Sequence, residues 1–238
     1  MRLFLIRHAE SYSNTQGRVM SSTDLDLTEK GRAQAVCTGK ALFSWMHGRP
    51  FSAVFCSTLL RTRRTAEGIL AAWEGTSPPV CALDCLREMD LGRMEGLTWE
   101  ERAERYPDMG TDRRLSILCA PGGECCEDVE RRCAAFSERL SVLPADSCAL
   151  AVSHGITLRV LVNLLLGQPR TDVDFLNWPE NAAVTELEWL PGKRARLFSL
   201  FDDRHLRAAG LSSPDYAEWG LFSEKDYLTL LPPEVFSR

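Results

Sequence analysis

Several familiar features are missing from this chain of 238 residues. Its longest apolar stretch, residues 158–166, is broken by Arg159 and Asn163 and falls far short of the roughly 20 residues that cross a bilayer. No internal repeat, low-complexity tract or interdomain linker is visible, so one large domain is expected. Lysine is scarce: of 28 cationic side chains only Lys30, Lys40, Lys193 and Lys225 are lysines. The net charge is −5, which offers no general basic field to a nucleic acid or a membrane surface. A glycine-rich Walker loop, an aspartate-rich loop and zinc-type His/Cys spacing are all absent from the sequence. The opening residues Met1 to Ile6 run straight into Arg7 and His8, too short an apolar region for a secretory signal. A cytoplasmic protein is therefore expected. Its nine cysteines, an odd number, are then expected to be reduced thiols rather than a disulfide framework.

Apolar runs alternate with amphipathic segments along most of the chain. Strands are expected over 3–6, 53–56, 80–83 and 147–152, and helices over 28–46, 59–73, 97–106, 126–143 and 156–166. Thr28 and Thr98 are the expected N-caps of the first and third helices. Residues 182–190 and 194–200 read as a hairpin turning at Pro191 and Gly192. This alternation implies an α/β fold of three layers (α/β/α), a mainly parallel sheet with helices on both faces. Ligands of such sheets bind beyond the carboxyl ends of the strands.

Chemistry is concentrated at those ends. There are only four histidines, and two of them, His8 and His154, directly follow expected strands. Arg7 adjoins the first, Arg61 lies on the first turn after the strand at 53–56, and Arg87 and Glu88 follow the strand at 80–83. Cations gathered at one sheet edge repel one another unless an anion joins them. Arginine binds phosphate through its planar fork, so a phosphate site that works without a metal is the natural reading.

The chain also resembles a known family. Arg7-His8-Ala9-Glu10-Ser11 with Asn14 is similar to the Arg-His-Gly signature of the histidine phosphatase superfamily, the phosphoglycerate mutase-like enzymes. Further blocks follow in order: Asp26-Leu27-Thr28 with Gly31 and Gln34; Ser57 to Thr62 with Thr65; Leu86-Arg87-Glu88; Gly92 with Glu95-Gly96; Pro121-Gly122-Gly123-Glu124; and Val152-Ser153-His154-Gly155. The likeness covers roughly residues 1–200 and departs at Ala9, where glycine is common, and at Cys125, where serine is usual.

It implies a phosphoglycerate mutase-like fold and a phosphohistidine intermediate on His8, with no cofactor and no metal. Arg7, Arg61, His154 and Asn14, with Gly155, would bind the phosphoryl oxygens, and Glu88 would serve as general acid and then base. Proton donation at neutral pH requires Glu88 to be at least partly buried. The expected substrate is a small phosphorylated metabolite, and hydrolysis is favoured over phosphoryl return to an acceptor, as in a phosphoglycerate mutase, and over non-catalytic binding of a phosphorylated ligand. The stretch 88–125 would form a cover over the pocket, in which Arg113 and Arg114 could meet the distal end of the substrate. Residues 201–238 would be an extension whose aromatic side chains pack on the body or across a homodimer. His47, His205 and the Cys125-Cys126 pair are read as ordinary residues without a catalytic part.

Overall fold

The computed structural model describes residues 1–73, 77–107 and 114–212. Strand β1 (Arg2–Arg7) lies inside the sheet, and its last five residues are all buried. Its side chains alternate: Leu3 and Leu5 join one apolar cluster, Phe4 and Ile6 another. A strand buried on both faces needs helices on both sides of its sheet. Parallel to β1 runs β4 (Cys148–Ser153), then β2 (Ala53–Ser57), then the edge strand β3 (Val80–Leu83). On the other flank β5 (Val184–Glu188) is antiparallel to β1 and forms a hairpin with β6 (Arg196–Asp202). The order is β3-β2-β4-β1-β5-β6. The expected mainly parallel, two-sided sheet is present, with β5 the reversed strand.

Helices α1 (Glu29–Trp45) and α2 (Leu60–Leu70) cover the face of Phe4 and Ile6 through Leu42, Ala66 and Ile69. The opposite face is covered by α4 (Cys126–Ser141) and α5 (Gly155–Leu165), through Val129, Phe136, Leu158 and Leu161. Each such fully buried valine, leucine, isoleucine or phenylalanine contributes about 1.5–3 kcal/mol relative to exposure. Thr28 caps α1 by accepting from the Gly31 amide at 2.9 Å. Thr98 opens α3 (Trp99–Arg105) with a reciprocal capping box to Glu101. A short helix not foreseen from the sequence, α6 (Arg204–Ala208), packs Leu206 against Ala35 of α1. No helix among the described residues is long and apolar enough to cross a membrane.

The expectation of reduced thiols needs correction at one pair. Cys119 and Cys125 are joined by a disulfide, whereas seven other cysteines, Cys126 among them, are free. The physical reason is local. Pro121 and Gly122, the latter at φ 74°, turn the chain tightly, so that Cys119 and Cys125 face each other in an isolated antiparallel bridge. Nothing in the spacing of the cysteines announces that turn.

Candidate active site

Register in the sheet places the two histidines. Arg7 of β1 stands opposite Ser153 of β4, so His8 and His154 leave adjacent strands side by side. The His8 amide donates to the Ser153 carbonyl at 2.9 Å, and the two imidazole rings lie 5.1 Å apart between centroids. The segment after β1 is pinned on several sides. The Ala9 amide donates to Thr65 Oγ1 at 2.9 Å, and the Glu10 amide to Gln34 Oε1 at 2.8 Å. Gly31 fits beneath it because a Cβ there would lie 1.9 Å from the Glu10 carbonyl oxygen.

One hydrogen bond settles the tautomer of His8. His8 Nδ1 lies 2.8 Å from the carbonyl oxygen of its neighbour Ala9. A carbonyl only accepts, so Nδ1 carries the proton and Nε2 keeps its lone pair. Ser57 Oγ accepts the Leu59 amide at 3.1 Å and lies 2.7 Å from His154 Nε2. Where the Ser57 hydroxyl donates to Nε2, the proton of the neutral His154 ring lies on Nδ1. Nδ1 is buried without a hydrogen-bond partner among the described residues. An orphaned ring nitrogen beside His8, if protonated, is what an anionic ligand would satisfy.

Electrostatics keep both rings neutral. Burial pushes His8 well below the ordinary histidine value of 6.5, and the Arg61 and Arg7 guanidinium groups push it further, against a smaller opposing effect of the bond to Ala9. His154 is lowered in the same way, first by burial, then by Arg61, His8, Arg132 and Arg7. Arg7, at 3% exposure, donates Nη1 to the Pro179 carbonyl at 2.7 Å and lies against the Trp178 ring, 5.5 Å from its centroid. Arg61, at 2% exposure, donates to the carbonyls of Thr23 at 2.9 Å and Ser21 at 2.7 Å. Asn14 Oδ1 accepts the Ser11 amide and hydroxyl, both at 3.0 Å, which leaves its N–H groups as donors.

Glu88 is half-buried at the start of α5. Its oxygens accept the Ile156 amide at 3.2 Å, the Thr157 amide at 3.1 Å and the Thr157 hydroxyl at 3.2 Å. Helix N-terminal amides are natural donors to a carboxylate, so the side chain has a fixed place. Gly155 has a steric reason to be glycine: a Cβ would lie 2.5 Å from the Trp178 ring that backs Arg7.

Beside this cluster lies a cavity of about 240 Å³, bounded by Glu88, Arg87, Arg132, Asp84, Asp90 and Glu124 among others. Arg132 is a hub: it grips Glu124 with two bonds of 2.9 and 3.1 Å and donates to the carbonyls of Cys85 and Arg87 at 2.9 and 2.7 Å. Sequence reasoning assigned no role to Arg132, Trp178 or Asn181, whose side-chain amide donates to the His8 carbonyl at 2.9 Å. Ser57 was visible in a motif but not as the partner of His154. Of the two arginines expected in the cover, Arg114 is exposed and Arg113 lies outside the described residues. Among the described residues no group of three or more His, Cys, Asp or Glu side chains is disposed to hold a metal ion.

A sheet edge that sets two neutral imidazoles beside buried arginines defines a class. Residues 3–201 match the family model of the histidine phosphatase superfamily (branch 1), and the chain belongs to that superfamily of phosphatases and mutases. It is 33% identical over 167 residues to a 2,3-bisphosphoglycerate-dependent phosphoglycerate mutase of Nitrobacter winogradskyi, covering 68% of this chain and 80% of that protein. A second such mutase, from Gloeobacter violaceus, is 31% identical over 79% of this chain and 81% of its own. Among solved structures, a mycobacterial glucosyl-3-phosphoglycerate phosphatase superposes with a TM-score of 0.75 at 28% identity, over 85% of this chain and 99% of that one. Phosphoglycerate mutase-like structures thus share the fold.

Proposed function

We propose that this chain is a phosphatase that hydrolyses the phosphomonoester of a small metabolite through a phosphohistidine on His8. The observation that carries the reading is the His8 ring: locked by Ala9 with Nε2 unprotonated, and buried against His154 and two arginines. Nε2 attacks phosphorus and the bond to the leaving oxygen breaks. As it leaves, that oxygen receives its proton through the Glu88 carboxyl group. Charge on the equatorial oxygens is met by Arg7, Arg61, the Nδ1–H of His154 and the amide of Asn14, fixed donors that need not reorganise as the charge develops. Water then attacks the phosphohistidine, Glu88 takes its proton, and inorganic phosphate leaves a regenerated imidazole.

Hydrolysis is preferred over phosphoryl return because the stretch between Glu88 and Pro121 is short, about 32 residues. A long insertion there would hold an acceptor and exclude water. The likeness over nearly all of a solved phosphatase supports the same choice. A mutase reading draws on the names of the sequence relatives. Measuring inorganic phosphate released from a panel of phosphorylated metabolites, alongside isomerisation of 3-phosphoglycerate, separates the two. Release without isomerisation is expected, and fast isomerisation with little release would replace this reading by the mutase one.

A further inference from the structure

Arg61 is almost fully buried, yet among the described residues it forms no ion pair with a carboxylate. Its guanidinium is held instead by two backbone carbonyls, Thr23 to Nη1 and Ser21 to Nη2. These belong to a segment outside any helix or strand, in which nothing regular fixes the peptide planes.

What fixes them is one side chain on the far side of the segment. Glu95 Oε2 accepts the Ser21 amide at 2.7 Å and its hydroxyl at 2.5 Å. Glu95 Oε1 accepts the Thr23 amide at 2.9 Å and its hydroxyl at 2.7 Å. Each carboxylate oxygen thus holds one residue, and each residue holds one nitrogen of the Arg61 fork. Burial alone would raise the Glu95 pKa, but the bonds from Ser21 and Thr23 outweigh it and keep the carboxyl below its usual range.

We infer that Glu95 is a positioning residue for Arg61, acting through the backbone of Ser21 and Thr23. The inference rests on the proposed role of Arg61 in binding the phosphoryl group. Its physical sense lies in the indirectness. A carboxylate paired directly with Arg61 would occupy donors and cancel charge needed by the ligand. A carboxylate one layer back supplies compensating negative charge, and carbonyl dipoles orient the fork while its remaining donors stay available.

The test is titration of the full-length chain with orthovanadate by calorimetry, together with the Michaelis constants for p-nitrophenyl phosphate. Glu95→Gln places an amide N–H₂ where an acceptor stood, and vanadate affinity should fall about tenfold, with kcat/KM falling alongside. In an Arg61→Ala background the same substitution should cost nothing further, because the two act in series. Melting temperature, by contrast, should drop equally in both backgrounds, which separates positioning from a structural effect. Thr23→Val and Ser21→Ala each remove one hydroxyl from the relay and leave the carboxylate in place. They should weaken vanadate binding a few-fold, and they decide the matter if Glu95→Gln does not fold.

Parental affinity in all of these variants, or an undiminished Glu95→Gln effect when Arg61 is already alanine, would overturn the relay alone. An Arg61→Ala variant that binds vanadate as well as the parent would remove the proposed role of Arg61, and this inference with it.

Discussion

The two ends of the proposed site are built differently. At the proposed phosphoryl end, Arg7, His8, Arg61 and His154 are each at most 5% exposed and each sits on, or one residue beyond, a regular strand or helix. At the proposed leaving-group end, Arg87 is only half-buried and Asp84 and Asp90 are exposed, on short turns and loops between β3 and α4. A buried end with little freedom suits chemistry that never changes. An irregular, open end suits recognition that can be altered without disturbing the sheet.

Substitutions can break this contrast. His8→Ala should abolish turnover of every phosphomonoester, by about 10⁴-fold or more, and leave no acid-labile phosphoprotein after quenching with labelled substrate. Residual labelling at another residue would show that the nucleophile lies elsewhere. Arg61→Ala should reduce kcat/KM by roughly 10²–10³-fold, and by the same factor for all substrates, since each presents the same phosphoryl group.

Rigidity of the buried end can be read from stability alone. Gly155→Ala forces a methyl group into the Trp178 ring and should cost about 1–3 kcal/mol in urea unfolding. An unchanged midpoint would mean that the tryptophan yields easily.

Acid provides a further measure. An unfolded histidine takes up its proton near pH 6.5, whereas buried His8 and His154 resist until well below it. In that window the unfolded state holds more protons, so stability is complete above about pH 6.5 and falls as the pH drops. The slope is up to about 1.4 kcal/mol per pH unit for each histidine, and urea titrations at pH 5.5 and 7.5 with the parent and a His154→Gln variant would show it. The smallest effect belongs to the open end. Arg87→Ala should change kcat/KM by less than about tenfold and unequally among substrates. A uniform loss would move Arg87 into the phosphoryl end.

The same contrast governs how much could be read in advance. Buried apolar runs gave away β1, β2 and β4, and the rarity of histidine made His8 and His154 conspicuous where those strands end. Gly31 and Thr28 were legible because helix entry follows local rules. Arg132 was not legible: it sits beside Arg131 on α4, whose side chain is 72% exposed, and only the stripe of Val129, Cys133, Phe136 and Leu140 sets which of the two turns inward. Trp178 and Asn181 come from a loop whose path depends on tertiary packing, and Asn181 reaches its partner through a backbone carbonyl that sequence does not display. The reversal of β5 followed from the hairpin only once its neighbour in the sheet was known. The aromatic residues of 213–238, expected to pack on the body or across a second subunit, lie outside the described residues.

The bonds that complete the pocket join partners far apart along the chain: Ser57 with His154, 97 positions on, and His8 with Asn181, 173 positions on. During synthesis His8 emerges well ahead of His154 and Asn181, and the pocket cannot close until both have left the ribosome. Regained affinity for a phosphate mimic should therefore lag behind the return of helical signal on dilution from denaturant, making ligand capture a late clock for the slowest, most distant strand pairing.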